Sequence, residues 1–358
     1  MALTGAMSAG ISGLKAHMDA LNVVGNNVAN VNTQGYKPGR VTFKESIYST
    51  QSAGSAGTAT VGGTNPRQTG YGVGIGTIDL DMSSRSLDST GRGMDCAIQG
   101  DGFFLVGDKT HDIDSMDALK GLTLTRVGNF EFRDGYLTDG QGNVVYGFIT
   151  RSNGDAPGTT PGDKPSTDLV PIRLPMKSTD PNSKGDAVYV GVDNQTGANV
   201  YPDNDPAATV DGFVDLENIS IDKNGKITGT NKDTGDPVVV GYIALGSVEN
   251  LNGVLHTEGP YYTAGDAAGD IRVGTPGNSV TGNLRNDKIT DGNNVVAPDS
   301  ALAEGSGATL MTGFLEASGT DLAAEFANMI IYQRGYQANT RIVTVTDTML
   351  EELVNMKR

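Results

Sequence analysis

The chain has 358 residues, enough to bury a large core in two or three domains, and its 50 glycines, absent tryptophan and modest charge favour turns and short strands over a helical enzyme. A net charge of −16 with no basic patch argues against nucleic acid or an anionic membrane surface as partner, because phosphate contacts need clustered Lys and Arg. The single cysteine, Cys96, excludes an intramolecular disulfide framework and a cysteine-only metal site, and reads as a small core residue in a strand.

Residues 1–30 read as a helix. Met7, Ile11, Leu14, Met18, Leu21 and Val28 recur at four- and three-residue steps, the spacing of a coiled-coil seam, with Gly25 breaking the stripe once. Only Lys15 and Asp19 are charged in this stretch, so the helix has no strongly solvated face and needs neighbours on several sides. Asn26, Asn27, Asn30, Thr33, Gly35, Tyr36 and Lys37 form a polar stop, where Gly35 favours a left-handed cap and Pro38 removes a donor. Residues 31–70 are expected to be an extended connector, with one short helix around Val41 to Ser49 followed by Ser, Gly, Ala and Thr.

From Tyr71 the apolar period becomes two, which predicts an antiparallel β domain over 71–150 and 211–305. Asp134-Gly135 is a hairpin signal, as is Asp222-Lys223-Asn224-Gly225. Between them, 151–210 holds eight of the fourteen prolines and reads as a separable, inserted β-rich outer domain with edge strands at best. Residues 264–308 are rich in Gly, Asn and Asp and read as a long loop or small subdomain, and 306–320 as a second connector.

From Asp321 to Arg358 there is neither Pro nor Ser, and Leu322, Phe326, Met329, Ile330, Tyr336, Val343, Leu350 and Val354 form one apolar row, with Ile342, Met349, Leu353 and Met356 beside it. This predicts a helix on the order of 50 Å long, buried on more than one side. Asp321 and Glu325 at its start and Lys357-Arg358 at its end suit the helix dipole. The fold class is thus α+β, mainly β, with terminal helices forming a coiled-coil core domain over 1–30 and 321–358.

No catalytic, cofactor-binding or metal-binding set emerges. His17, His111 and His256 are isolated, Gly70 to Gly76 lacks the strand before and helix after that a phosphate-binding loop requires, and Asp203-Asn204-Asp205 lacks EF-hand spacing. No run of about eighteen apolar residues could span a membrane, and the N-terminus lacks the features of a cleaved secretory signal. These signs alone predict a cytoplasmic protein, unless export uses an uncleaved signal. Two readings of the terminal stripes stand open: an intramolecular helix pair closing the β core, or helices that are buried in a polymer.

Asn26 through Lys37 resembles the signature NNxAN…T.GYK of bacterial flagellar rod and hook axial proteins. The resemblance recurs at Thr90-Gly91-Arg92 through Asp95, at Ile98-Gln99-Gly100-Asp101-Gly102-Phe103-Phe104, at Arg126-Val127-Gly128-Asn129-Phe130, at Gly313 to Ser318 and at Gln333 to Asn339. It implies that the terminal helices form the inner tube of a helical homopolymer with β domains outside. It also implies export, uncleaved, through the flagellar type III apparatus to an extracellular flagellum, and partners among rod, hook cap and hook–filament junction proteins. No nucleic acid or small-molecule substrate is implied. Chain length, with the insertion, and Gly91-Arg92-Gly93-Met94-Asp95 favour the hook, a universal joint carrying torque, over the distal rod. A secreted β-rich carbohydrate-binding or hydrolytic protein with a helical stalk is the alternative from another class.

Overall fold

Helix α1 runs from Ala2 to Ala29 and helix α2 from Leu322 to Met356. The computed structural model describes residues 2–57, 60, 62–109, 119–149, 169–179, 184–185, 187–188, 191–192, 199–200, 210–276, 290–291, 294–295 and 308–356. Helix α1 stops where expected: the Asn30 amide closes a last turn on Asn26 O at 3.1 Å, and Gly35 then adopts φ +68°. Helix α2 starts on Asp321, whose Oδ1 accepts from the amides of Ala323 at 2.9 Å and Ala324 at 3.2 Å, satisfying two of the donors a helix start leaves open.

Contacts within the chain define two units. The first comprises residues 1–33, 37–81 and 318–358, and the second residues 34–36 and 82–317. In the first, four strands accompany the helices: β1 (Gly39–Glu45), β2 (Tyr48–Ser52), β3 (Arg67–Gly70) and β4 (Val73–Leu80). Strand β1 pairs antiparallel with β4, from Gly39↔Leu80 to Glu45↔Val73, and β2 pairs with β3. The short helix expected around Val41 to Ser49 is therefore absent, and all but Ser46 and Ile47 of its residues are strand. Val41, Thr42 and Phe43 are β-branched or aromatic, and β4 supplies a partner ladder, including Thr42 Oγ1 to Thr77 Oγ1 at 2.7 Å.

The 31–70 segment is thus largely a pair of ribbons. The boundary expected at Tyr71 falls instead between Asp81 and Met82, because β4 pairs within the helical unit. Gly72, just before β4, fits closely against α1. A Cβ on Gly72, which has φ +114°, would lie 1.9 Å from Ser12 Oγ, and the amide of Val73 donates to that oxygen at 3.3 Å.

The second unit is built on an antiparallel path of strands Leu216–Ile221, Lys226–Asn231, Pro237–Ile243, Val144–Ile149, Phe103–Gly107, Thr123–Thr125, Tyr261–Ala264 and Val254–His256. Asp134 and Gly135, with φ 50° and 80°, make the two-residue turn between Glu131–Arg133 and Tyr136–Thr138, as the right-handed twist of a hairpin requires. The Asp222 to Gly225 turn closes with Gly225 N–H donating to Asp222 O at 2.8 Å. Cys96, Ile98, Phe104, Val106, Phe130, Val145, Ile243 and Leu245 share one buried core, with Phe104 and Phe130 edge-to-face at 5.0 Å. Cys96 is buried in a strand, and burial, reinforced by the charge of Asp95, pushes its thiol up.

Three expected boundaries shift. Of the proline-rich 151–210, Val170–Pro171 is a two-residue edge strand on Val144–Ile149, and Ile172 enters the main core, so 169–174 belongs to the sheet. Residues 309–316, expected as connector, pair as Thr309–Thr312 with Cys96–Gln99 and as Phe314–Glu316 with Leu87–Ser89. Within the expected loop 264–308, Ile271–Gly274 pairs with Leu245–Val248. His111, Asp203 to Asp205 and Lys357-Arg358 lie outside the described residues.

Candidate functional site

In the helical unit α1 and α2 run antiparallel. A Cβ on Gly10 would lie 3.2 Å from Val343, one on Gly13 would lie 2.6 Å from the Asn339 side chain, and one on Gly335 would lie 2.6 Å from His17 Nε2. Further along, Asn27 reaches Glu325. The fit is reciprocal. Glycines of α1 receive side chains of α2, and a glycine of α2 receives the imidazole of α1. A glycine inside a helix is disfavoured by about 1 kcal/mol against alanine, and the close approach of the two helices explains Gly10, Gly13 and Gly335. Phe43 of β1 closes the same cluster, with ring centroids 5.6 Å from His17 and 5.8 Å from Tyr332.

The buried positions of α1 are accordingly Gly10, Gly13, Ala16, Ala20, Val24 and Asn27. They are not the large-residue stripe chosen from the sequence. Met7, Leu14, Leu21 and Val28 are half-buried, while Ile11 and Met18 are exposed. On α2, Met329, Val343 and Leu350 are half-buried, and Leu322, Phe326, Tyr336 and Val354 are exposed. Hydrophobic periodicity weights large side chains, so a seam of glycine and alanine passes unseen. The large apolar residues remain outside it: Ile330, Ile331 and Val354 expose 58%, 60% and 67% of their surface.

The polar stop after α1 is a network around one side chain. Asn27 is almost fully buried. Its Nδ2 donates to Gly39 O at 2.8 Å and its Oδ1 accepts from Gly39 N–H at 3.0 Å, so the amide group pairs with backbone as a neighbouring strand would. The same Nδ2 donates to Glu325 Oε1 at 3.0 Å. Two residues leading into α2 grip the end of α1: Ser318 Oγ donates to Asn30 O at 2.9 Å, and Thr320 Oγ1 to Asn27 O at 3.1 Å. Asn30 Nδ2 donates to Asn26 O and Thr33 Oγ1 to Asn30 Oδ1, and Lys37 is buried. Burial pushes the Glu325 carboxyl above the usual range; the bond from Asn27 pulls it back and the charge of Asp321 pushes it further up.

Gly35 and Tyr36, the rest of the expected turn, belong to the β unit, where Gly35 N–H donates to Glu316 O at 2.8 Å and Tyr36 stacks edge-on to His256. Sequence reasoning missed Gly10, Gly13, Gly335, Asn339, Ser318 and Thr320. Only the unusual number of helical glycines pointed toward part of this set. Gly70 to Gly76 run from the end of β3 into strand β4, with no helix after them, and among the described residues no three His, Cys, Asp or Glu side chains group as a metal site. No helix of the described residues is long and apolar enough to cross a membrane.

The comparisons with known proteins meet at this unit. Residues 7–37 match the family described as flagella basal body rod protein, and 311–356 match flagellar basal body rod FlgEFG protein C-terminal. The flagellar basal-body rod protein FlgG of Bacillus subtilis is 32% identical over 98% of this chain and 97% of that one. The flagellar hook protein FlgE of Borreliella burgdorferi is 25% identical, covering 97% and 98%, and that of Salmonella typhimurium 27%, covering 98% and 99%. The matched segments cover the paired terminal helices and their polar stop, with 311–317 in the strands before α2, and the relatives align from end to end: the chain belongs to the flagellar basal-body rod and hook protein family, whose members are structural components of the flagellum and not enzymes.

Proposed function

We propose that this chain is an axial subunit that polymerises with copies of itself through its terminal helices into a helical tube, and that the tube is the hook, a flexible joint passing motor torque to the filament. One observation carries the polymer reading. After α1 and α2 have paired, Ile11, Met18, Phe326, Ile330, Ile331, Tyr336, Met349, Leu353 and Val354 still face outward. Apolar surface of that extent is costly to leave in water and is what a self-complementary assembly covers. The sites chosen from the sequence, Met7, Ile11, Leu14, Met18, Leu21, Val28, Leu322, Phe326, Met329, Tyr336, Val343, Leu350 and Val354, are then mainly contacts to neighbouring copies.

Export without a cleaved signal through the flagellar type III apparatus belongs to this reading, as do contacts with rod, cap and junction proteins. The insertion within 151–210 and the Gly91 to Asp95 sequence support the hook. A distal rod subunit is the second reading, favoured by the 32% identity with the Bacillus subtilis rod protein. Electron microscopy of cells lacking this protein separates the two. Rods without hooks are expected, and truncated rods would assign it to the rod. For polymerisation itself, the ends of the dilute monomer should be cut by protease and become protected on assembly; ends equally resistant in both states would overturn it.

A further inference from the structure

The chain passes between its two units at 33/34, 36/37, 81/82 and 317/318. Within the β unit, every one of these points lies within four residues of a group bonded to Glu316 or to its neighbour. Gly35 N–H donates to Glu316 O at 2.8 Å, Arg85 N–H donates to Glu316 Oε1 at 3.2 Å, and Ala317 N–H donates to Ser86 O at 3.0 Å. The other carboxylate oxygen, Oε2, accepts from Arg126 Nε at 3.1 Å, and the two side chains are only 3% and 1% exposed. Arg126 is itself held by Nη1 donating to Gly100 O at 2.9 Å and Gly102 O at 2.6 Å. Gly35 has φ +68°, and a Cβ there would lie 2.8 Å from Val127, next to Arg126.

We propose that the buried Arg126–Glu316 ion pair is a fastener that gathers the entering and leaving segments of the β unit at one anchored point. A buried charge must be compensated by its partner and by hydrogen bonds, and Glu316 finds both its oxygens used, one by the guanidinium and one by a connecting segment. The planar guanidinium fork, fixed by two carbonyls of the 100–102 turn, gives the carboxylate one orientation, which a flexible ammonium would not. The ribbon it stabilises, Phe314–Glu316 on Leu87–Ser89, is only three residues long on each side and too short to hold register alone. Load reaching the β unit along any connecting segment therefore arrives at the same ion pair. The inference concerns the monomer and does not depend on polymerisation.

The test is amide hydrogen exchange on the full chain carrying Glu316→Gln, with Arg126→Lys measured alongside. Exchange at Gly35, Arg85 and Ala317 should rise by at least about tenfold in both variants, while strands 103–107 and 144–149 stay within about twofold of the parent. Unchanged exchange at the three connecting amides would overturn the proposal. So would an equal rise throughout the sheet strands, or loss of the folded β unit in both variants, since the pair would then be an ordinary part of the core.

Discussion

The two units place their large apolar side chains in opposite ways. In the β unit Phe104, Phe130, Val145 and Ile243 are interior and share one core. In the helical unit the buried seam of α1 is glycine, alanine, one valine and one amide, while Phe326, Ile330 and Leu353 look outward. The first arrangement is complete in one chain. The second holds its two helices together by fit and hydrogen bonds, and leaves much of its large apolar surface exposed.

A matched pair of substitutions tests that contrast most sharply. Phe104→Ala should destabilise the β unit by about 3–5 kcal/mol, the loss typical of a buried phenylalanine, whereas Phe326→Ala should change monomer stability by less than about 0.5 kcal/mol and show itself in assembly. Chemical unfolding of both variants beside sedimentation of the polymer reads both numbers. If Phe326→Ala unfolded the monomer, the outward face would be part of an intrachain core after all. Next in size, Asn27→Ala strands both polar groups of Gly39 and should weaken the helical unit by about 2–3 kcal/mol without altering the β unit, as read by exchange of the Gly39 amide.

Smaller effects refine the picture of the seam. Gly335→Ala gains about 1 kcal/mol of helix propensity but drives a methyl into His17, a strain of about 1–3 kcal/mol, so a net loss of about 1 kcal/mol is expected in thermal unfolding of the helical unit. A gain would mean that His17 moves aside freely. The smallest effect is electrostatic. The folded pKa of Glu325 is raised, so the protonated acid favours the folded unit; its contribution is present below the ordinary glutamate range and fades as pH rises through the folded value. Glu325→Gln keeps an acceptor for Asn27 and should flatten the pH dependence of the helical unit's stability just above the ordinary glutamate range. An unaltered pH profile would remove Glu325 from the account.

What the sequence made legible were the features set by neighbours in the chain. Both helices, the Asp321 start, the Asp134-Gly135 and Asp222 to Gly225 turns and the buried Cys96 follow from residues a few positions apart. The family resemblance also rested on short local motifs. The misread parts depend on partners elsewhere. Val41 to Ser49 has mixed propensity until β4 is beside it, and the period of two in β4 says nothing about which unit it joins. Likewise, the pairing of Asn27 with Gly39 and Glu325 cannot be read from the order of residues alone, and a seam of small residues leaves no mark in a hydrophobicity count.

The bond from Asn27 to Glu325 spans 298 positions of the chain. As the polypeptide emerges residue by residue, α1 and its polar stop are made long before Ser318, Thr320 and Glu325. Contacts of such separation form late, after the loop between them has been closed. The β unit waits as well, because its strands at 87–89 and 96–99 take their partners from 309–316. Both units therefore take closing contacts from 309–325, and a copy broken off before that stretch lacks the clasp of the helices and the last strands of the sheet together.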